Sequence, residues 1–343
     1  MHNRRSLVIH LSIGILLSST ALSQLRADPV ADFYAGKTIT IITSTGPAST
    51  YTTYAQLVAD YLGGFIPGKP RIIVQTMPGA GGIRAANHMA NAAPKDGTVL
   101  ATVHETLPIE QVLKADQVRF DMSKFEYIGV MSTITSTLTV SGNAPATTLE
   151  GAKTKEVIVG STGSGSITHQ LPSLLNNLLG TKFKIVGGYQ AMGEMTLAMD
   201  RGEVHGRGGS LVGWTQSRPK EVEEGKYVHI IQVGLKKDPT LPNVPLLIDL
   251  ARSDRERMIF EFISSSSLVG RSIFAPPGTP ADRLAALRAA FEAMIKDPAF
   301  LATAKQRNHN IMPASAEEVM SAIKRTVSIP RDVAEEARKA MGE

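Results

Sequence analysis

The chain has 343 residues, 43% of them hydrophobic and 20% charged, with no cysteine. Its length exceeds one small domain and predicts two, at roughly 150 residues each. The missing cysteines exclude disulfides, Cys-ligated zinc, iron–sulfur clusters and thiol catalysis. A formal net charge of +5 raises a nucleic-acid reading that the charge distribution has to test.

Residues 1–27 read as a secretory signal peptide. Arg4 and Arg5 precede an apolar run from Leu7 to Leu17, and small and polar residues lead to Ala27. The run is shorter than the about 20 residues a membrane span needs. An N-terminal anchor or a buried helix is the alternative. Cleavage after Ala27 removes Arg4, Arg5 and Arg26 and no acid, which lowers the net charge from +5 to +2. The remaining Lys and Arg are interleaved with Asp and Glu, with no basic stripe holding aromatics. The expectation is no nucleic-acid partner.

The rest of the chain alternates strand and helix. Strands are predicted at 37–43, 71–76 and 98–103, each β-branched or apolar and each followed by a loop. After the first, Tyr54, Ala55, Val58 and Leu62 share a helical face that Gly63-Gly64 should end. A second helix is predicted over 83–92. The pattern resumes past Pro145, with strands at 156–160, 183–186 and 228–233 and helices at 167–179 and 192–201. A late strand at 273–275 and helices at 280–296, 298–308, 316–325 and from Pro330 close the chain. This repetition predicts α/β architecture, each lobe a mostly parallel sheet flanked by helices.

Ligands of open α/β sheets sit beyond the carboxyl ends of the strands. Loops 44–50, 77–82 and 161–166 hold those positions and are rich in Gly, Ser and Thr. Each precedes a helix, so backbone N–H groups are offered to an anion. Ordinary β–α turn chemistry is the alternative for any one loop.

Catalytic and cofactor motifs are near misses. Gly63 to Lys69 has phosphate-loop spacing, but Pro70 follows and the segment precedes a strand. Gly163-Ser-Gly165 lacks the third glycine of a dinucleotide fingerprint, and no Gly-x-Ser-x-Gly elbow occurs. His104-Glu105 meets Pro108 where a zinc helix needs His. No cofactor or metal site is expected. A hydrolase using a serine of 161–166 with His169 remains an alternative. Trp214 reads as packing.

Several segments resemble the tripartite tricarboxylate transporter receptors, the Bug-type extracytoplasmic solute-binding proteins. They are Asp32 to Ile41, Gln75 to Gly82 (QTMPGAGG), Ala92 to Thr98 (AAPKDGT), Gly160 to Ser166 (GSTGSGS), Pro242 to Pro245 and Phe274 to Pro280 (FAPPGTP). They occur in the family's order along the mature chain.

The resemblance implies a two-lobed, flytrap-like periplasmic binding protein of type 2. Lobe 1 would hold residues 28–136 and 242–343, and lobe 2 residues 137–241. The implied function is a periplasmic receptor that captures a small organic carboxylate for a tripartite transporter's membrane permease subunits. It would be a monomer and not an enzyme. A receptor feeding a signalling partner is the alternative.

The ligand residues it implies are Thr45, Gly46, Ser49, Thr50 and Tyr51 in the first loop. They continue with Pro78, Gly79, Ala80, Gly81 and Gly82 in the second, and Thr162, Gly163, Ser164, Gly165 and Ser166 in the third, with Tyr189. The family's first loop is usually glycine-rich and followed by an acid. Here it reads Gly46-Pro-Ala-Ser-Thr-Tyr-Thr52, with no Asp after it. The lost acid favours an uncompensated anion. Arg207 is a candidate partner because Arg pairs bidentately with carboxylates. A surface ion pair with Glu203 or a neighbour is the alternative.

Overall fold

The computed structural model describes residues 28–342 except Ala48, Gly165 and Gln190. The signal-peptide reading of 1–27 and the ligand reading of Gly165 therefore lie outside the described residues.

Among the described residues, ten strands form two five-stranded sheets. The first has the order β2-β1-β3-β10-β4, with β1 at Thr38–Thr43, β2 at Arg71–Thr76, β3 at Val99–Thr102, β4 at Glu126–Val130 and β10 at Ser272–Ala275. The second has the order β7-β6-β8-β5-β9, with β5 at Ser136–Ser141, β6 at Val157–Gly160, β7 at Phe183–Val186, β8 at Gly206–Ser210 and β9 at Tyr227–Val233.

The expected α/β class stands, with more antiparallel pairing than the repeat implied. In the first sheet β2-β1-β3 is parallel and β10 runs antiparallel to both neighbours. In the second, β7-β6-β8 is parallel and β5 runs antiparallel to β8 and β9.

The two sheets thus share one plan, in which a parallel half carries the β–loop–α units and an antiparallel half connects the lobes. Strands β4, β5 and β8 were absent from the predicted elements. For β8 the reason is composition: Gly206-Arg-Gly-Gly-Ser210 has low strand propensity. Its glycines are steric requirements of a crowded central strand. A Cβ on Gly206 would lie 2.6 Å from the Thr139 carbonyl oxygen, and one on Gly208 2.9 Å from that of Ile167.

After the short helix Pro29–Tyr34, the helix expected after β1 runs Thr50–Phe65 and passes through Gly63-Gly64 instead of ending there. Helix and loop touch at that point, since a Cβ on Gly63 would meet the Pro70 carbonyl oxygen at 2.4 Å. The glycine is spent on close packing. Buried Tyr54, Val58 and Leu62 of this helix join Leu284, Leu287 and Phe291 of the helix Ala281–Met294 on one face of the first sheet. Ile83, Met89, Phe125, Phe274, Val319 and Ile323 cover the other face.

The second sheet is sandwiched likewise. Leu171, Leu174 and Leu175 of the helix Ile167–Leu179 lie on one side, and Ala198, Met199, Trp214 and Tyr227 on the other. The segment 242–343, expected with the first lobe, contributes to both cores. Ile259, Phe260 and Ile263 of the helix Asp254–Ser264, and Val333, Ala337 and Ala340 of the helix Arg331–Ala340, pack with Leu171 and Leu175. Burying these apolar faces holds both helices to the second sheet, at about 25 cal/mol per Å² of apolar surface removed from water.

Candidate functional site

The C-terminal edge of β1-β3 gathers the first two predicted loops. Leaving β1, the chain turns at Gly46, whose carbonyl accepts from the Ser49 N–H at 3.1 Å and from the Thr52 hydroxyl at 2.9 Å. The Thr52 oxygen is also 3.0 Å from that of Thr43 and 3.3 Å from that of Thr45. Ser49 caps the helix by accepting from the Tyr51 N–H at 3.3 Å. Four hydroxyls therefore fix a loop that has few glycines. Thr45, Gly46 and Ser49 are half-buried, Thr50 is exposed and Tyr51 is buried.

The second loop reverses through four successive residues at positive φ: Gly79 (144°), Ala80 (47°), Gly81 (61°) and Gly82 (98°). Ala80 is strained there, since such a φ costs an L-residue roughly 1–2 kcal/mol. Pro78 to Gly81 are exposed, while Gly82 is buried beside Ser44 and His104. The two loops thus meet at Ser44.

The same edge holds residues that motif reading missed. Antiparallel β10 brings Arg271 to the exit of β3. Arg271 is 6% exposed, with its guanidinium carbon 4.8 Å from the Tyr54 ring centroid and 5.5 Å from that of Tyr51. Its Nη2 donates to the Thr50 hydroxyl at 3.4 Å, and its Nε has no partner among the described residues. The hydroxyls of Ser44, Tyr51 and Thr102 and one carboxyl oxygen of Glu105 are also buried without partners among the described residues. Burial raises the Glu105 pKa against the pull of Arg271, and burial lowers that of His104. Buried polar groups are ordinarily satisfied, so an orphaned cluster at a sheet edge marks a place for a ligand. Arg271 does carry a sequence signal, being the one charged side chain between Glu261 and Asp282.

The second lobe repeats the plan. The Thr168 hydroxyl accepts from the Thr162 N–H at 3.0 Å and lies 3.2 Å from the Thr162 hydroxyl and 2.8 Å from that of Ser166. Ser166 caps the helix Ile167–Leu179. Thr162 and Ser166 are half-buried, and Gly163 and Ser164 are exposed. Tyr189 lies against Gly160, the last residue of β6. Among the described residues no hydrogen bond joins Ser164 to His169, which sits beside Gly342 and Ser173.

Arg207 is paired in register with Gly160, so it lies level with the start of the third loop. It is 4% exposed and stacks 3.9 Å from the Trp214 ring centroid. Its Nε donates to the Thr196 hydroxyl at 3.0 Å and its Nη1 to the Gly208 carbonyl at 3.3 Å. The expected alternative fails, because Glu203 pairs with Arg201 at 2.7 Å. Burial lowers the Arg207 pKa to about 10, which leaves it charged at neutral pH. Behind it, His229 shares a hydrogen bond of 2.7 Å between its Nδ1 and the Thr139 hydroxyl, and its Nε2 has no partner among the described residues. Burial first, and the Arg207 charge second, push the His229 pKa down to about 4.

Among the described residues no cluster of three or more His, Asp or Glu is placed to hold a metal. A groove of about 1340 Å³ lies along the inter-lobe crossovers, lined by Thr133, Thr135, Lys236, Arg257, Met312 and Arg325 among others, and includes none of the loop residues above.

Known proteins place this arrangement. A UPF0065 protein from the TAR-I ttuE-ttuC' intergenic region of Agrobacterium vitis is 24% identical over 293 residues, covering 83% of this chain and 79% of its own. The crystal structure of a TctC solute-binding protein from Polaromonas, without ligand, is 18% identical, with a TM-score of 0.68 over 88% of this chain and 99% of that one. MatC from Rhodopseudomonas palustris with bound malate is 21% identical, with a TM-score of 0.59 over 87% and 99%. At these identities the structural likeness is one of fold. The model of the tripartite tricarboxylate transporter family receptor (TctC) matches residues 66–337. The chain belongs to that family of solute-binding receptors.

Proposed function

We propose that this protein captures a small organic carboxylate in the periplasm, between its two lobes, and delivers it to the permease subunits of a tripartite transporter. The observation that carries the reading is the orphaned polar edge of the first lobe, where Ser44, Tyr51, Thr102 and Arg271 present unpaired buried groups beside two preformed loops. An acid fits: a carboxylate accepts from hydroxyls, backbone N–H groups and guanidinium at once. Relatives of this fold hold malate and adipate.

In this reading Thr45, Gly46, Ser49, Thr50 and Tyr51, with Pro78 to Gly82, form the first lobe's half of the site. Thr162 to Ser166, Tyr189 and Arg207 form the second's. The lobes divide near residues 136 and 242, with the 254–264 and 331–340 helices carried on the second. The ligand favours the closed form because only that form offers it both halves. The protein works as a monomer and does not turn its ligand over. Calorimetric titration of the mature protein against a panel of organic acids tests this. Saturable binding with unchanged ligand is expected, and no binding to any acid overturns it.

A further inference from the structure

Two arginines are buried at the inner edges of the two sheets, and each is the one Lys or Arg of a long stretch. Arg271 stands alone between Glu261 and Asp282, and Arg207 between Glu203 and Arg218. They are 6% and 4% exposed. Among the described residues neither makes an ion pair within 4.0 Å, although 13 other Lys or Arg side chains do. Instead each lies over aromatic rings, Arg207 on Trp214 and Arg271 near Tyr51 and Tyr54. A buried guanidinium without an anion is expensive, and ring faces offset only part of that. Glu105 is the acid that acts on Arg271, yet its own carboxyl oxygen is orphaned.

A chain of contacts links the two arginines across the lobes. Arg271 lies over Tyr54, whose ring is 4.2 Å from that of His309. The adjacent Asn308 carbonyl accepts from the side chain of Gln216. Gln216 lies on the helix Leu211–Ser217, whose Trp214 carries Arg207. Both arginines therefore flank one seam, from opposite sides.

We propose that Arg271 and Arg207 are paired anion contacts, one per lobe, that hold acidic groups at two ends of the same ligand. Arg271 is then a specificity-determining residue of the first lobe, outside the glycine-rich loops. The pair requires a ligand long enough to reach both lobes and acidic at each end. Such a ligand closes the lobes by neutralising a charge in each. This rests on the receptor reading above.

The test is calorimetry with succinate, glutarate and adipate and the monoamide of each, on the wild type, Arg271→Gln and Arg207→Gln. A monoamide keeps the length of the diacid and loses one charge. In the wild type the best diacid is expected to outbind its monoamide at least about tenfold. Arg271→Gln should weaken that diacid by about 10- to 100-fold, the range for a hydrogen bond to a charged group. Its diacid and monoamide affinities should then converge.

A wild type that binds monoamide and diacid alike overturns the pairing, as does an Arg271→Gln variant that keeps the preference. If Arg271→Gln fails to fold by circular dichroism, the wild-type comparison decides alone. Absence of binding by all three acids overturns the receptor reading itself, a result distinct from binding without preference.

Discussion

The two lobes solve one problem with different surroundings. Each places a hydroxyl-braced loop at the end of a parallel strand and an arginine at the same edge of the sheet, Arg207 on β8 beside β6 and Arg271 just before β10, two strands from β1. Among the described residues the partners of Arg207 are neutral: Trp214, Thr196, a backbone carbonyl and an unprotonated His229. Around Arg271 stand Glu105, two tyrosines and several unpaired hydroxyls. The second lobe therefore offers an uncompensated positive charge in a rigid frame. The first offers a tempered charge in a setting with spare hydrogen-bonding capacity. A charge without an ion-pair partner discriminates strongly by ligand charge, whereas a cluster of spare donors and acceptors discriminates by shape.

The contrast can be broken most severely at Arg207. Arg207→Ala should weaken acid binding by at least about 100-fold, or roughly 3 kcal/mol, as for a lost charge-assisted contact. Calorimetry reads the affinity, and a thermal melt checks that the fold survives. A variant that binds as tightly as wild type would place the ligand elsewhere.

Acid should reach the second lobe through His229. Its folded pKa of about 4 lies below the ordinary value near 6.5, so the unfolded chain binds the proton first. The stability held above pH 6.5 is lost as pH falls toward 4, by up to roughly 3 kcal/mol. Melting temperature followed from pH 7 to 4 should drop less for His229→Gln than for wild type. Equal slopes would mean that His229 is already solvated.

The smallest effects compare the braces. Thr52→Val and Thr168→Val each strip a buried hydroxyl from its loop, and each should cost about 1 kcal/mol in chemical denaturation. Similar losses would show that the loops are braced alike. A loss confined to Thr168 would mark the first loop as held mainly by the Ser49 cap.

Much of this plan was legible in the chain. The β–loop–α units of both parallel halves fell where β-branched runs met Gly/Ser/Thr loops, because local pattern governs those elements. The antiparallel halves were less legible. β8 is glycine-rich because its neighbours crowd it, a tertiary reason that local propensity does not carry. Ser44, His104, Glu105 and Arg271 come together only when β10 returns beside β3, about 170 residues later in the chain. Arg207 was named as a candidate because the first loop lacks its acid, and it is the one Lys or Arg between Glu203 and Arg218. Arg271 had the same isolation, in a run that read as a strand and a turn.

The last helix has a mechanical consequence. The chain passes from first sheet to second at 131–135, returns at 265–271, and crosses again after the helix Ala316–Val327 to lay Arg331–Ala340 on the second lobe. A joint made of one strand can swivel. A joint stitched in three places can bend about a line but resists twist, so under the proposed closure the lobes would meet in one alignment each time. The C-terminal helix is the third stitch.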